Sequence, residues 1–295
     1  MIVASFRQGS QTRSVTSWVI IGCGYVGTAL ARRLVAEGVA VTVTRRDAAA
    51  ARALAVELSS TGAVMGGALD LAGPPRAADQ AMLAMFARDR PTVVCCAPPG
   101  ADPAAEIARL HELARSAHRF IYVSSTGVYA PGGGAWVDES WPLEPMTAAG
   151  QARLAAERSL FAAAPDAVAL RAAGIWGPGR GLLDRLRAGT YRIVGDGRTH
   201  VSRIHVDDLV AAIVRAAATV TTGAVNIADD DPAPIGEVAD ALAARLGVAA
   251  PPRVPIDAVD PEVAGMLAAD RRIANGRMKQ ELGVVLRYPS WRSAL

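Results

Sequence analysis

Six residues, Gly22-Cys23-Gly24-Tyr25-Val26-Gly27, constrain this chain more than any other stretch. They follow the apolar run 18–21 and open an amphipathic stretch, 28–38, that closes on Gly38. In a strand–turn–helix of this kind the first glycine permits the tight turn. The second lets backbone approach a pyrophosphate, and the third lets helix and strand pack closely. The helix N-terminus then offers unpaired N–H groups and the positive end of its dipole to phosphates. The pattern points to a dinucleotide site at Gly22, Gly24, Tyr25, Val26 and Gly27. A glycine-packed structural turn is the bland alternative.

The rhythm that follows gives the turn its context. Apolar runs at 39–46, 62–71, 91–99 and 119–129 alternate with helical patterns at 47–62, 79–89 and 103–117. Short strands alternating with helices predict an α/β fold with a doubly wound parallel sheet. After about residue 172 the rhythm breaks into Gly/Pro-rich loops, 174–181, 194–200, 229–234 and 250–255, between short elements. The expected organisation is a flexible extension over 1–17, a nucleotide-binding core over 18–171, and a mixed segment over 172–295. That last segment completes the sheet and forms a small C-terminal lobe over the crevice where such sheets bind ligands.

Composition narrows the partners. A net charge of +3 over 295 residues, with no long Lys/Arg run, gives no strong pull toward nucleic acid or a membrane surface. No apolar run reaches membrane-spanning length. Three cysteines, Cys23, Cys95 and Cys96, without CxxC spacing fit a reducing compartment, the cytoplasm, and no disulfide framework. The four histidines show no metal-ligand spacing. Residues 1–17 lack acids and carry Arg7 and Arg13, faintly like a transit peptide, but have no apolar core for a secretory signal.

The end of the second strand bears on the cofactor. An NAD site usually places Asp or Glu there for the ribose hydroxyls. Here the sequence reads Thr44-Arg45-Arg46-Asp47, and an Arg pair suits a 2′-phosphate. NADP is therefore favoured, with NAD still open through Asp47. Asp70 and Leu71, after the third strand, are candidates for the adenine end, and Ala97, just past the fourth, joins the cofactor-binding set.

From residue 18 onward the chain resembles the short-chain dehydrogenase/reductase superfamily, in the extended or atypical branch that includes nucleoside-diphosphate-sugar epimerases and dehydratases. The stretches that carry this come in order: GCGYVG, LDL, YVSSTGVY, VDESWPLEP, LRAAGIWGPGR, VGDGRTHVSRIHVDDLVAAI and GAVNIADDDPAPIGEVADAL. The resemblance implies a Rossmann fold and a small-molecule substrate, a nucleotide sugar among the candidates. It also implies a possible homodimer through the helices around 110–117 and 151–164. Ser125 falls at the family's catalytic Ser/Thr, with Thr126 beside it. Trp176 stands where the family commonly has Tyr, and Arg203 and His205 border the substrate pocket.

The family's Tyr and Lys, four apart on a helix, are the exception. Gly150 and Glu157 set the register, which puts Ala149 at the Tyr position and Arg153 at the Lys position. Alanine has no proton to give. Arg153 keeps a positive charge for the cofactor but stays protonated. Losing a general acid typically costs roughly 10²–10⁴ in rate. Two readings follow: an oxidoreductase or epimerase-like enzyme whose acid has moved, to Tyr129, Tyr191 or His205, or a non-catalytic NADP(H)-binding sensor or scaffold. A sugar-nucleotide dehydrogenase of the six-carbon oxidising type is ruled out, because its downstream nucleophilic cysteine has no counterpart after Cys96.

Overall fold

A computed structural model of the chain describes residues 17–59, 62–71, 77–100 and 103–294. The extension expected over 1–17 lies, but for Ser17, outside the described residues. Seven strands form one sheet: β1 (Trp18–Ile21), β2 (Val41–Arg45), β3 (Val64–Ala68), β4 (Thr92–Cys95), β5 (Arg119–Ser125), β6 (Val168–Ala172) and β7 (Gly223–Ile227). Their order is β7-β6-β5-β4-β1-β2-β3, and every pairing is parallel. The order reverses between β1 and β4. That is the switch point where doubly wound sheets open a crevice beyond the strand C-termini.

The strands are apolar on both faces because both faces are covered. On one, Ile20, Val43, Val94, Ile121, Leu170 and Val225 pack against α1 (Tyr25–Ala36), α2 (Ala48–Leu58) and α7 (Val206–Ala218). On the other, Val19, Ile21, Val93, Cys95 and Tyr122 meet α4 (Pro103–Ser116) and α5 (Ala148–Ala163), with Met82 of α3 (Ala77–Asp89) beside them. Burying one large aliphatic side chain fully contributes about 1.5–3 kcal/mol. Local signals agree with these elements. Asp47 caps α2 by accepting from the Ala50 amide at 2.7 Å, and Thr147 caps α5 by accepting from the Gly150 amide at 3.1 Å.

A separate apolar cluster lies outside the sheet. Leu182, Leu183 and Leu186 of α6 (Leu182–Arg187) pack with Val238 and Leu242 of α8 (Ile235–Leu246), Tyr191 and Trp291. Among the described residues no helix is long and apolar enough to cross a membrane.

Candidate functional site

The glycine turn sits at the switch point. Gly22 has φ +79°, and a Cβ there would lie 2.7–2.8 Å from the backbone and Cβ of Ala97 on the neighbouring β4 exit. Gly27 is equally closed, with the Gly22 carbonyl oxygen 2.9 Å from the Cβ position. Gly24 differs: nothing lies within 4 Å of its Cβ position. Two glycines are thus required by packing, and one leaves an open approach over the N-terminus of α1. No side chain caps that helix and its first turn carries no acid, so its positive end is left for a ligand. Val26 faces the core, while Tyr25 turns outward and donates its hydroxyl to the Pro178 carbonyl at 3.2 Å.

The three charged residues ending β2 have separate duties. Arg45 is half-buried and donates Nε to the Cys23 carbonyl at 2.9 Å, bracing the turn. Arg46 is exposed. Asp47 is occupied as the cap of α2. Across the sheet edge, Asp70 is half-buried and Leu71 packs in the core. Cys95 is fully buried, which pushes its thiol up to about 12; Cys96 is half-buried, and desolvation raises its thiol above the ordinary value.

Beyond β5, Ser125 begins a single 3-10 turn, Thr126–Val128, and its Oγ accepts from the Gly127 amide at 3.0 Å. Its hydroxyl proton is still available to a substrate oxygen. Gly150 packs against this turn, since a Cβ there would sit 2.5 Å from the Gly127 carbonyl oxygen. Ala149 is exposed in the first turn of α5, and its amide donates to Glu262 Oε1 at 2.9 Å. Arg153 donates Nη1 to the Val123 carbonyl at 2.6 Å, so its guanidinium lies beside β5, two residues before Ser125.

A buried polar network holds this floor in place. Glu157 takes both oxygens to Arg171, with Nη2–Oε2 at 2.7 Å, and accepts from Ser124 Oγ at 2.5 Å. Arg171 Nη1 reaches the Tyr129 hydroxyl at 2.9 Å, which in turn donates to Asn226 Oδ1 at 2.7 Å. The network ties β5, β6, β7 and α5 together on either side of Ser125. It also removes Tyr129 from the candidate acids. Tyr129 is fully buried, its hydroxyl is committed, and burial pushes its pKa up to about 12.

The residues after β6 join the turn to a second space. Gly177, at φ +153°, has Tyr25 Oη 2.6 Å and His205 Nε2 3.2 Å from its Cβ position. Any side chain at 177 would collide with both halves of the site. On the far side is a cavity of about 300 Å³. Its lining includes Trp176, Arg203, His205, Tyr288 and Trp291. His205 stacks on Tyr288 with ring centroids 3.6 Å apart and meets Trp176 edge-on at 4.6 Å. Its Nδ1 accepts from the Asp207 amide at 3.2 Å, which leaves the proton of the neutral ring on Nε2. Burial lowers its pKa against the pull of Asp207 and Asp208. Arg203 makes no ion pair with either of those acids; Asp208 instead accepts from the Arg287 and Tyr288 amides at 2.8 and 2.9 Å. Tyr191 packs in the outlying cluster under Arg185, and burial raises its pKa.

Sequence reasoning missed Tyr288, Trp291, Arg180 and Arg187 as lining residues and Glu262 as the partner of Ala149. The aromatic pair in the closing RYPSW was a visible signal; nothing local marked the others.

Comparison with known proteins gives three kinds of likeness. The NAD dependent epimerase/dehydratase family matches residues 18–228. A "3-diazoavenalumate denitrifying reductase" from Streptomyces sp is 34% identical over 208 residues, 64% of this chain and 68% of that protein. A conserved protein of unknown function from Silicibacter pomeroyi superposes with a TM-score of 0.76 at 30% identity, covering 94% of this chain and 95% of its own. A human epimerase family protein solved with NADPH shares the fold at 18% identity and a TM-score of 0.70, covering 94% and 97%.

Proposed function

The chain belongs to the NAD-dependent epimerase/dehydratase family, and from that premise we propose that it is an NADP(H)-dependent reductase of a small molecule that works without the family's Tyr/Lys pair. One observation carries the cofactor choice. Asp47 is engaged as a helix cap while Arg45 and Arg46 stand beside it. A guanidinium binds a 2′-phosphate well, whereas an NAD site needs a free carboxylate at this point. The reductase assignment is supported by the Streptomyces relative, whose name is that of a reductase.

When bound, the cofactor supplies a hydride. The chain's own residues then do limited work. The first turn of α1 receives the phosphates. Arg153, held on the Val123 carbonyl, places a fixed positive charge beside β5. Ser125 offers its hydroxyl proton to a substrate oxygen. With Ala149 at the expected tyrosine position, the suitable substrate is already electron-poor enough to accept hydride, or takes its proton from water. Ala149 equally favours a second reading, an NADP(H)-binding sensor that performs no turnover. Homodimerisation through α4 and α5 belongs to the proposal: the two helices lie side by side, with Ser159 Oγ 2.5 Å from His111 Nε2.

A fluorescence titration with NADPH and, separately, NADH tests the reading. NADPH is expected to bind tighter. Arg46→Ala should weaken NADPH alone, because Arg46 is exposed. Arg45→Ala should weaken both nucleotides, because Arg45 braces the turn. Tighter binding of NADH, unaffected by Arg46→Ala, would refute the NADP assignment, and binding of neither would remove enzyme and sensor together.

A further inference from the structure

The cavity beside Gly177 is lined by residues whose donors have nothing to bond. Arg203 is 8% exposed and gives Nη1 to the Val201 carbonyl at 2.8 Å, while its Nη2 is buried with no acceptor. The indole N–H groups of Trp176 and Trp291 are also buried without acceptors. All three residues line the cavity. A buried donor left unbonded costs about 1–3 kcal/mol, and more when charged. Such a wall complements a ligand that brings acceptors.

Charge agrees. The lining holds Arg180, Arg187 and Arg203 against Asp184, and Asp184 faces Arg187 at 3.9 Å. Among the described residues no carboxylate forms an ion pair with Arg203; Asp229 is the acid that attracts it most, from beyond ion-pair distance. Asp231 is held by Ser290, at 2.6 Å, and by Arg292. The rest of the surface is flat and apolar. Trp176, His205 and Tyr288 form one aromatic group, and Leu182, Val238 and Leu242 add aliphatic lining. At about 300 Å³ the space is at the small end of ligand pockets, which run to about 1,000 Å³. A ring with a short acidic chain suits it better than a nucleotide and a sugar together.

We propose that this cavity recognises a small planar carboxylate, an aromatic or conjugated acid, with the carboxylate on Arg203 and the unsaturated body against Trp176 and Tyr288. The inference rests on the proposed function, with the cavity taken as the substrate side of the site that Gly177 and Pro178 join to Tyr25 at the glycine turn.

The test follows the protein's intrinsic tryptophan fluorescence, to which Trp176 and Trp291 contribute, during titration with trans-cinnamate, its neutral isostere cinnamamide, and UDP. Cinnamate is expected to bind at least about tenfold tighter than cinnamamide. Arg203→Met should erase that difference and Arg203→Lys should retain part of it, with folding checked by circular dichroism. Equal affinity for acid and amide on the unmodified protein overturns the proposal without any variant. So does UDP displacing cinnamate with the higher affinity. NADPH titrated into the same samples separates the two ideas: cinnamate binding without NADPH binding would end the reductase reading and leave acid recognition standing.

Discussion

Replacing Asp229 by asparagine tests how burial, rather than sequence, sets the electrostatics behind the cavity. Asp229 follows β7 and is 1% exposed. Its Oδ1 accepts from the Asp231 amide at 3.3 Å, and its Oδ2 is buried with no partner. Burial outweighs the attraction of Arg203 and raises the carboxyl from 3.8 to about 7. The folded state therefore holds this proton more tightly than the unfolded chain does. Below about pH 4 both states are protonated and the group contributes nothing. As pH rises toward 7 the unfolded chain ionises while the folded protein does not, and stability falls by about 1.4 kcal/mol per unit. Over roughly three units the penalty reaches about 4 kcal/mol and is flat above pH 7. The asparagine side chain keeps the shape and an acceptor for the Asp231 amide but carries no charge. Asp229→Asn is thus expected to be only about 1 kcal/mol more stable than the parent protein near pH 4.5 and about 2–4 kcal/mol more stable at pH 8, allowing for local relaxation. Urea denaturation at pH 4.5, 6 and 8 measures the difference. A variant that is less stable at pH 8, or a difference that does not change with pH, would refute the reasoning.

Gly22→Ala should abolish nucleotide binding and lower the melting temperature, since its Cβ meets the Ala97 backbone at 2.7 Å and its φ is left-handed; wild-type NADPH affinity in a titration would contradict this. Glu157→Ala leaves Arg171 buried and unpaired, and a loss of about 3–5 kcal/mol is expected by urea denaturation. A loss under about 1 kcal/mol would mean that the network does not hold the floor under Ser125. Position 149 is exposed, so Ala149→Tyr should fold normally. With a carbonyl substrate that needs a proton it should raise turnover, by up to the roughly 10²–10⁴ that a general acid provides; no rise at saturating NADPH would show that position 149 is not where the proton is missed.

Five of the seven strands were legible because their causes are local, while β6 and β7 were covered only by the expectation that a later segment completes the sheet. GxGxxG, the strand–helix alternation and the caps at Asp47 and Thr147 each act within a few residues. The cavity was not, because its causes are distant in the chain. Trp176 and Tyr288 stand 5.8 Å apart across more than a hundred residues, and no periodicity links them. Tyr129 shows the same limit from the other side. In the sequence it is a tyrosine near a catalytic serine; in the fold Arg171 and Asn226 consume its hydroxyl.

By itself, then, the sequence determined the backbone chemistry: where glycine is obligatory, which runs are apolar on both faces, and that Ala149 carries no proton. Only the tertiary structure decided which polar groups are already spent and which are left over. Arg45 braces the turn, Asp47 caps a helix, and Arg203 keeps one nitrogen unbonded. Hydrogen-bond satisfaction depends on what the fold brings within about 3 Å, and that is a property of packing, not of order along the chain.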